Sequence, residues 1–387
     1  MFDYNLRLNK KTTLRFTFGR LRLLALGGIG LLLMVYRLVN GLGAATNLSD
    51  SWTWGLWIYF DMILSALGSC GFAVGILTHV LHIPKYQPLA RRALLVSFFC
   101  YLLLFLILFA EIGRWDNFYW IFISFAWSSP LYEVFICLTL YFLVQIAEIE
   151  EIWVERYLPL PWLQMILKYL MPCVFLVACI LPFGQEAALG GIYLAMPNKL
   201  HTIWYSQALP WNCLISAFYG GLCFIALEYY GSNRYFREKS DTGMISSLLH
   251  VAGVVIGVNF VVKIVDLSVR GAWSAVFSGQ YEGMMFIGEI VVGSLIPLLI
   301  LLTPLRKGKK GQILAALCGV IGILWNRFNF IFTGMARHAG ESYFPSFVEW
   351  GIVIGLMALM VVIYIFLVEN LPVHRNKDDE KPEIVIR

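Results

Sequence analysis

Charge is scarce in this chain. Only 14% of its 387 residues are Asp, Glu, Lys or Arg, where a soluble domain carries roughly 25%. The deficit excludes a soluble enzyme, a disordered chain and a nucleic-acid binder. Cys-x-x-Cys pairs are lacking as well. The eight cysteines stand apart, which argues against iron–sulfur clusters and structural zinc and reads them as small apolar residues. The chain has six histidines, and only His79 and His250 fall within long apolar runs, so one b-haem would need both of them facing each other. Walker A, Rossmann glycine and Gly-x-Ser-x-Gly patterns are missing, so no soluble catalytic domain is expected in the loops. Strict apolar/polar alternation is missing too, which disfavours an outer-membrane barrel.

What is there is apolar. Hydrophobic residues make up 59% of the chain, and the mean hydropathy is +0.74. A bilayer-crossing helix needs about 20 apolar residues, and ten stretches qualify: 21–39, 54–81, 89–112, 128–149, 164–183, 209–229, 245–267, 284–302, 312–332 and 347–371. The fold class expected is an all-α polytopic membrane protein with ten transmembrane helices. Pro172 and Pro182 interrupt the fifth stretch, and the long second one, which contains glycine, is expected to tilt or break. Residues 1–20 read as a cytoplasmic segment and 372–387 as a cytoplasmic tail. The basic N-terminal segment and the lack of a small-residue cleavage site argue against a removed signal peptide.

Most of the 29 Lys and Arg fall on one side of this ten-span layout. They include Arg7, Lys10 and Arg15 before span one, Arg91 and Arg92 after span two, Arg306 and Lys307 after span eight, and Arg375 in the tail. The opposite side carries only Arg114, Lys199, Arg270 and Arg337. By the positive-inside rule both termini are cytoplasmic, as expected for the cytoplasmic membrane of a prokaryote. The outer loops are aromatic (Trp52, Trp54, Trp115, Trp120, Trp127, Tyr193, Trp204, Trp273, Tyr343, Phe344). That pattern suits an interfacial belt, or a platform on which a partner docks.

Ionisable residues inside spans are functional candidates by default. Arg37, Glu111, Lys263, Asp266 and Arg327 stand near the outer ends of odd spans. Asp61, Glu133 and Glu289 stand in the first turns of even spans, with Asp61 about 10 Å below Trp54 at 1.5 Å per residue. Gln185, Glu186, His201 and Glu349 fall in the expected outer linkers. The pattern is one polar layer in the outer third over an apolar floor. Ion pairs stitching the bundle are the plain alternative, with Lys263–Asp266 and Glu111–Arg114 as local pairs. Ser65, Ser69, Cys70 and Thr78 below Asp61 read as small packing residues or as part of a proton wire.

A weak repeat runs at a four-span offset. Ile63-Leu64-Ser65-Ala66-Leu67 matches Leu214-Ile215-Ser216-Ala217-Phe218, Glu111…Arg114-Trp115 matches Asp266…Arg270…Trp273, and Tyr132-Glu133 matches Tyr281-Glu282. This suggests two four-helix bundles related by pseudo-symmetry, about 54–183 and about 209–332, flanked by the first and last helices.

Several ordered pieces are family-like: Trp54-Gly55-Leu56-Trp57-Ile58-x-Phe60-Asp61, Tyr86-x-Pro88-Leu89-x-Arg91, Gly113-Arg114-Trp115-x-Asn117, Leu131-x-Glu133, His201-x-x-Trp204 and Tyr343-Phe344-Pro345-Ser346. Together they resemble the NrfD/PsrC superfamily of quinone-interacting membrane subunits, nearest its ten-helix HybB/HmcC-type branch, over nearly the whole chain. The resemblance implies a subunit without a bound cofactor or metal. Such a subunit binds menaquinone or ubiquinone near the outer face and exchanges electrons with a ferredoxin-like iron–sulfur subunit there. That subunit leads on to a hydrogenase, a molybdopterin enzyme or a multihaem cytochrome. One departure is that the His-Gln-Ser-Ser-x-Gly run of that branch is replaced by Gln185-Glu186-Ala187-Ala188-Leu189-Gly190, so Gln185 cannot titrate where the family has a histidine.

The expected site follows. Asp61 and His201 face a quinone headgroup, with Glu111 as a third catalytic group. Trp57, Gln185, Glu186 and Trp204 complete the binding pocket. Arg114 and Glu133 extend it toward a short outward proton route, and Lys263, Asp266 and Glu289 form the second repeat's counterpart, structural or proton-conducting. Competing readings are a structural anchor with a degenerate site, a secondary transporter and a b-type cytochrome.

Overall fold

The computed structural model describes residues 3–9, 12–126, 128–157, 161–196, 199–340 and 342–371. Lys10, Lys11, Trp127 and the tail 372–387 lie outside the described residues.

Among the described residues, ten helices are long and apolar enough to span a membrane. They are α1 (Phe18–Asn40), α2 (Leu56–Val80), α3 (Pro84–Glu111), α4 (Pro130–Tyr157), α5 (Pro161–Leu194), α6 (Leu209–Phe236), α7 (Thr242–Arg270), α8 (Tyr281–Leu302), α9 (Lys309–Arg337) and α10 (Phe347–Asn370). Ten crossings return the chain to the face from which it started. We name that face inner and the opposite one outer. Before α1 lies an antiparallel hairpin, β1 (Asp3–Asn9) with β2 (Thr12–Thr17).

Local chemistry sets the helix ends. Proline occupies the first turn of α3, α4 and α6, where its missing N–H costs no intrahelical bond. Asp241 caps α7 by accepting from the Gly243 and Met244 N–H groups at 2.8 and 3.0 Å. Gly271, at φ +65°, ends the same helix in the left-handed conformation that favours glycine. Ser346 and Glu349 form a reciprocal capping box on α10.

The fifth helix departs from expectation. It runs past Pro172 and Pro182 to Leu194, where the sequence suggested a span ending near 183. Helix-breaking residues are tolerated within a membrane bundle because neighbouring groups re-satisfy the freed carbonyls. Gln185 and Glu186 are therefore buried helical residues rather than parts of an outer linker. The second helix breaks where its text allowed a break. At Ser69 the hydroxyl turns to the carbonyls of Ala66, at 2.6 Å, and of Ala217 in α6, and a π-helical turn follows at Ile76–Val80.

The helix α2 is the most buried of the ten. It packs on α3, α5, α6, α9 and α10. Sequential neighbours α2 to α5 pack pairwise, as do α6 to α9, while α1 lies along α10. Close approach of α1 and α10 depends on Gly30 and Gly355: a Cβ on Gly30 would lie 2.6 Å from the Gly355 Cα. In lipid, helix association rests on such packing rather than on a hydrophobic drive.

Candidate functional site

A partly open cavity, about 530 Å³ with its open mouth included, lies in the outer half between α2, α3, α4 and α5. Helical periodicity builds it. Ile58, Asp61 and Met62 share one face of α2, Leu104 and Leu108 one face of α3, Leu131 and Val134 the start of α4, and Gln185, Leu189, Ile192 and Tyr193 one face of α5. Trp54 and Tyr193 meet edge to face at 5.4 Å, and the Tyr193 hydroxyl donates to the Met62 sulfur at 3.4 Å. Leu131, at the rim, is exposed.

Apart from Trp54 and Tyr193, the lining is apolar except for Asp61 and Gln185, which come from facing helices. Both are buried. Neither carboxylate oxygen of Asp61 and neither amide atom of Gln185 has a hydrogen-bond partner among the described residues. Burying a polar group without a partner costs roughly 1–3 kcal/mol, and native interiors seldom carry such groups without a reason. Here four orphaned atoms border one apolar slot.

Glu186, one residue on, turns about 100° around α5 and leaves this cavity. It accepts from the Ser65 hydroxyl and faces the Arg327 guanidinium of α9 at 3.5 Å. Arg327 also donates to the Asn326 amide oxygen at 2.8 Å, to Ser216 at 3.1 Å and to the Cys213 carbonyl at 3.2 Å. Asn326 in turn donates to Glu289 at 2.9 Å, where Asn329 (2.8 Å) and Lys263 (2.5 Å) converge. The chain of contacts thus joins the α2–α5 bundle to the α6–α9 bundle. π-helical turns at Val291–Leu295 and Asn329–Thr333 adjoin Glu289 and include Asn329. Such turns re-aim side chains by one position.

A second, smaller cavity, about 350 Å³ with its open mouth included, lies between α6, α7, α8, α9 and the loop before α6. Lys263, Asp266, Arg270, Glu289, Asn326 and Trp204 line it. Arg270 pairs with Asp266 at 2.6 Å and donates to the carbonyls of Thr202, Ile203 and Tyr205 at 2.6, 3.1 and 3.0 Å. The outer loop is thereby pinned to α7.

The structure brings together only part of the expected site. Asp61 and Gln185 share the first cavity. His201 does not line it: its Nδ1 accepts from the Ile203 N–H at 3.3 Å, its backbone N–H donates to the Gly334 carbonyl at 2.9 Å, and its ring stands 5.9 Å from Trp204. Trp204 borders the second cavity. Trp57 is fully buried and turns its indole N–H to the Glu349 carbonyl in α10 at 3.3 Å. Arg114 is exposed and pairs with Asp116 at 3.1 Å, and Glu133 is exposed. The expected local pairs are not formed. Lys263 pairs across helices with Glu289, and Asp266 with Arg270. Glu111 lies near Arg37 rather than pairing with Arg114. Lys263 and Glu111 thus face groups on other helices, because desolvated charges take the partner that tertiary packing places opposite them. Sequence reasoning passed over Asn326 and Asn329. Their only signal is the i, i+3 spacing around Arg327, which places amides on one face of α9.

Comparison with known proteins adds an independent line. Residues 44–339 match the family described as Polysulphide reductase, NrfD. The chain is 29% identical to the probable Ni/Fe-hydrogenase 2 b-type cytochrome subunit of Escherichia coli, with 89% of each chain covered. It is 28% identical to the menaquinone reductase integral membrane subunit of Nitratidesulfovibrio vulgaris, over 89% of this chain and 87% of the relative. It is 21% identical to a selenate reductase subunit of Mesobacillus selenatarsenatis, over 93% and 96%. The ten apolar helices and a match covering most of the chain lead to one conclusion: this is a multi-pass integral membrane protein that belongs to the NrfD family.

Proposed function

We propose that the chain is the quinone-reactive membrane subunit of a respiratory oxidoreductase complex. It exchanges electrons between menaquinone or ubiquinone and an iron–sulfur subunit docked on the outer face. That partner would be ferredoxin-like and would connect to a hydrogenase, a molybdopterin enzyme or a multihaem cytochrome. The names of the relatives, a hydrogenase subunit, a menaquinone reductase subunit and a selenate reductase subunit, favour membership of such a complex. The cytoplasmic membrane, with both termini inside, is the proposed location, supported by the one-sided distribution of Lys and Arg.

The observation that carries this reading is the apolar slot with two orphaned polar side chains. A quinone is a flat apolar ring and tail with two carbonyl oxygens, and it needs few polar contacts at fixed points. The Gln185 amide donates to one carbonyl. The Asp61 carboxyl accepts a proton from the hydroxyl of a quinol, or returns one to a quinone, which is general acid–base work. The exposed Leu131 at the rim leaves the slot open to the surroundings of the bundle. The subunit's own residues bind the ring and handle protons, and the electrons leave through the partner's iron–sulfur centres.

The haem reading fits less well. His79 and His250 are both exposed, and the His250 Nδ1 lies 3.2 Å from Arg306, so neither imidazole is held in a closed ligand site. The transporter reading needs a site near the midplane, whereas this cavity lies toward the outer ends of its helices.

The test is Asp61→Ala in the assembled complex. Quinol-coupled electron transfer is expected to be lost while the subunits still co-purify, and an optical spectrum of the isolated subunit should show no haem bands. Retained turnover in Asp61→Ala removes the assignment.

A further inference from the structure

Above the first cavity, at the outer ends of α1, α3 and α10, lies a second group of buried charge. Arg37, in the last turn of α1, is fully buried. One of its terminal nitrogens donates to the Ile112 carbonyl at 2.5 Å, while its Nε and other terminal nitrogen have no partner among the described residues. Glu111 likewise has one buried carboxylate oxygen without a partner. It stands one turn above Leu108, on the face of α3 that lines the cavity. Asp61 lies within electrostatic reach of Glu111, and Glu111 within reach of Glu349 and Arg37.

Glu349 completes the row. It is buried, yet its partners reach the surface. Its carboxylate accepts from the Ser346 N–H at 2.7 Å and from the N–H of the exposed Asn47 at 3.2 Å, and also from the Tyr343 hydroxyl. Tyr343 in turn accepts from the Leu56 N–H at the start of α2, at 3.0 Å. Gly55 leaves room for this contact, since a Cβ there would collide with the phenol. Three carboxyl groups from three helices therefore lead from the cavity to the outer surface.

We propose that Glu111 and Glu349 form the proton path between Asp61 and the outer aqueous face, with Arg37 as its fixed counter-charge. A stitching ion pair would leave these atoms satisfied. Buried polar atoms with open valences are the kind that hold internal water, and internal water bridging neighbouring carboxyl groups relays protons. Arg37 cannot carry a proton itself, because a guanidinium stays protonated, but it keeps an ionised Glu111 tolerable next to the cavity. Burial, and then the bond to Glu349, push the Tyr343 phenol up from its ordinary range, so it remains a hydroxyl donor at the outer end.

The proposal rests on the quinone reading above. Each quinol oxidised releases two electrons to the iron–sulfur partner and two protons to Asp61 in succession. Each proton passes to Glu111, then Glu349, then outside water, and Asp61 resets between them. Quinone reduction runs the same path inward. Arg114 and Glu133, named from sequence for an outward route, lie off it.

The experiment uses the complete complex in liposomes, with a short-chain quinol as substrate. Glu111→Gln and Glu349→Gln are nearly isosteric, and Gln at 349 keeps the capping box, which takes either residue. Each is expected to lower kcat on the order of 10²-fold, the usual scale of a lost proton-transfer group. KM for the quinol should stay unchanged, and a small weak acid such as acetate added outside should restore part of the rate. A merely structural role would move KM and assembly together and would show no such rescue. Parental kcat in both variants, with Asp61→Asn inactive, overturns the path and leaves the quinone site standing. Parental turnover in Asp61→Asn overturns the site and the path with it. Should Glu111→Gln fail to assemble, Glu349→Gln decides alone: parental kcat there overturns the proposal.

Discussion

At the level of single residues, the informative side chains are those whose surroundings do not match their polarity. Gln185 is one. It occupies the place where related chains are expected to carry histidine, and its orphaned amide borders the cavity. Gln185→Leu removes one donor to the bound ring and is expected to raise KM for a short-chain quinol about 10-fold, the scale of one hydrogen bond of roughly 1.4 kcal/mol, measured in steady-state turnover of the complex. Arg327 is the opposite case, a buried cation with every reachable partner engaged except its Nε. Arg327→Met would leave Glu186 buried and uncompensated, at a cost of about 3–5 kcal/mol. Loss of thermal stability in detergent is expected, with much of it recovered in the double variant Arg327→Met, Glu186→Gln. A double variant no better than the single one would show that the pair is not coupled. Charged residues such as Arg327 were legible in the sequence, because charge within an apolar run stands out, whereas Gln185 read as part of an outer linker. Their partners were not, as the misassigned pairs Lys263–Asp266 and Glu111–Arg114 show.

Helix positions were the most legible feature, since about 20 consecutive apolar residues are a length-coded signal that owes nothing to tertiary contacts. The failure came at α5. Proline reads as an interruption in a soluble helix, but the helix continues to Leu194, and this shift is what moves Gln185 and Glu186 from a loop into the interior. Close helix contacts were equally hidden, because a glycine in sequence does not reveal what lies opposite it. Gly30 and Gly355 carry the α1–α10 contact. Gly30→Leu should force these helices apart at about 1–3 kcal/mol, lowering the melting temperature without changing KM for quinol in the fraction that assembles. An unchanged melting temperature would show that α1 is dispensable to the bundle.

For the whole molecule, the even number of candidate spans among the described residues and the one-sided Lys and Arg support the proposed orientation with both ends on the inner side. A fluorescent-protein fusion after Arg387 should therefore be bright, since such proteins mature in the cytoplasm. Alkaline phosphatase inserted at Asn117 should be active, and a phosphatase-positive C-terminus would overturn this orientation. The sequence by itself determined the class of molecule, the number of apolar spans and the family, because each of these depends on local hydrophobicity or on ordered motifs, and its charge placement is what the proposed inner face rests on. It also drew attention to Asp61, since a carboxylate in a span is conspicuous wherever it points. Only the tertiary structure decided which polar groups share a cavity. Whether Asp61 meets Gln185 or His201, and whether Glu111 belongs with Arg114 or with Arg37 and Glu349, depends on which faces of separate helices turn toward one another. Helix rotation is set by packing across the bundle, and no stretch of sequence encodes it alone.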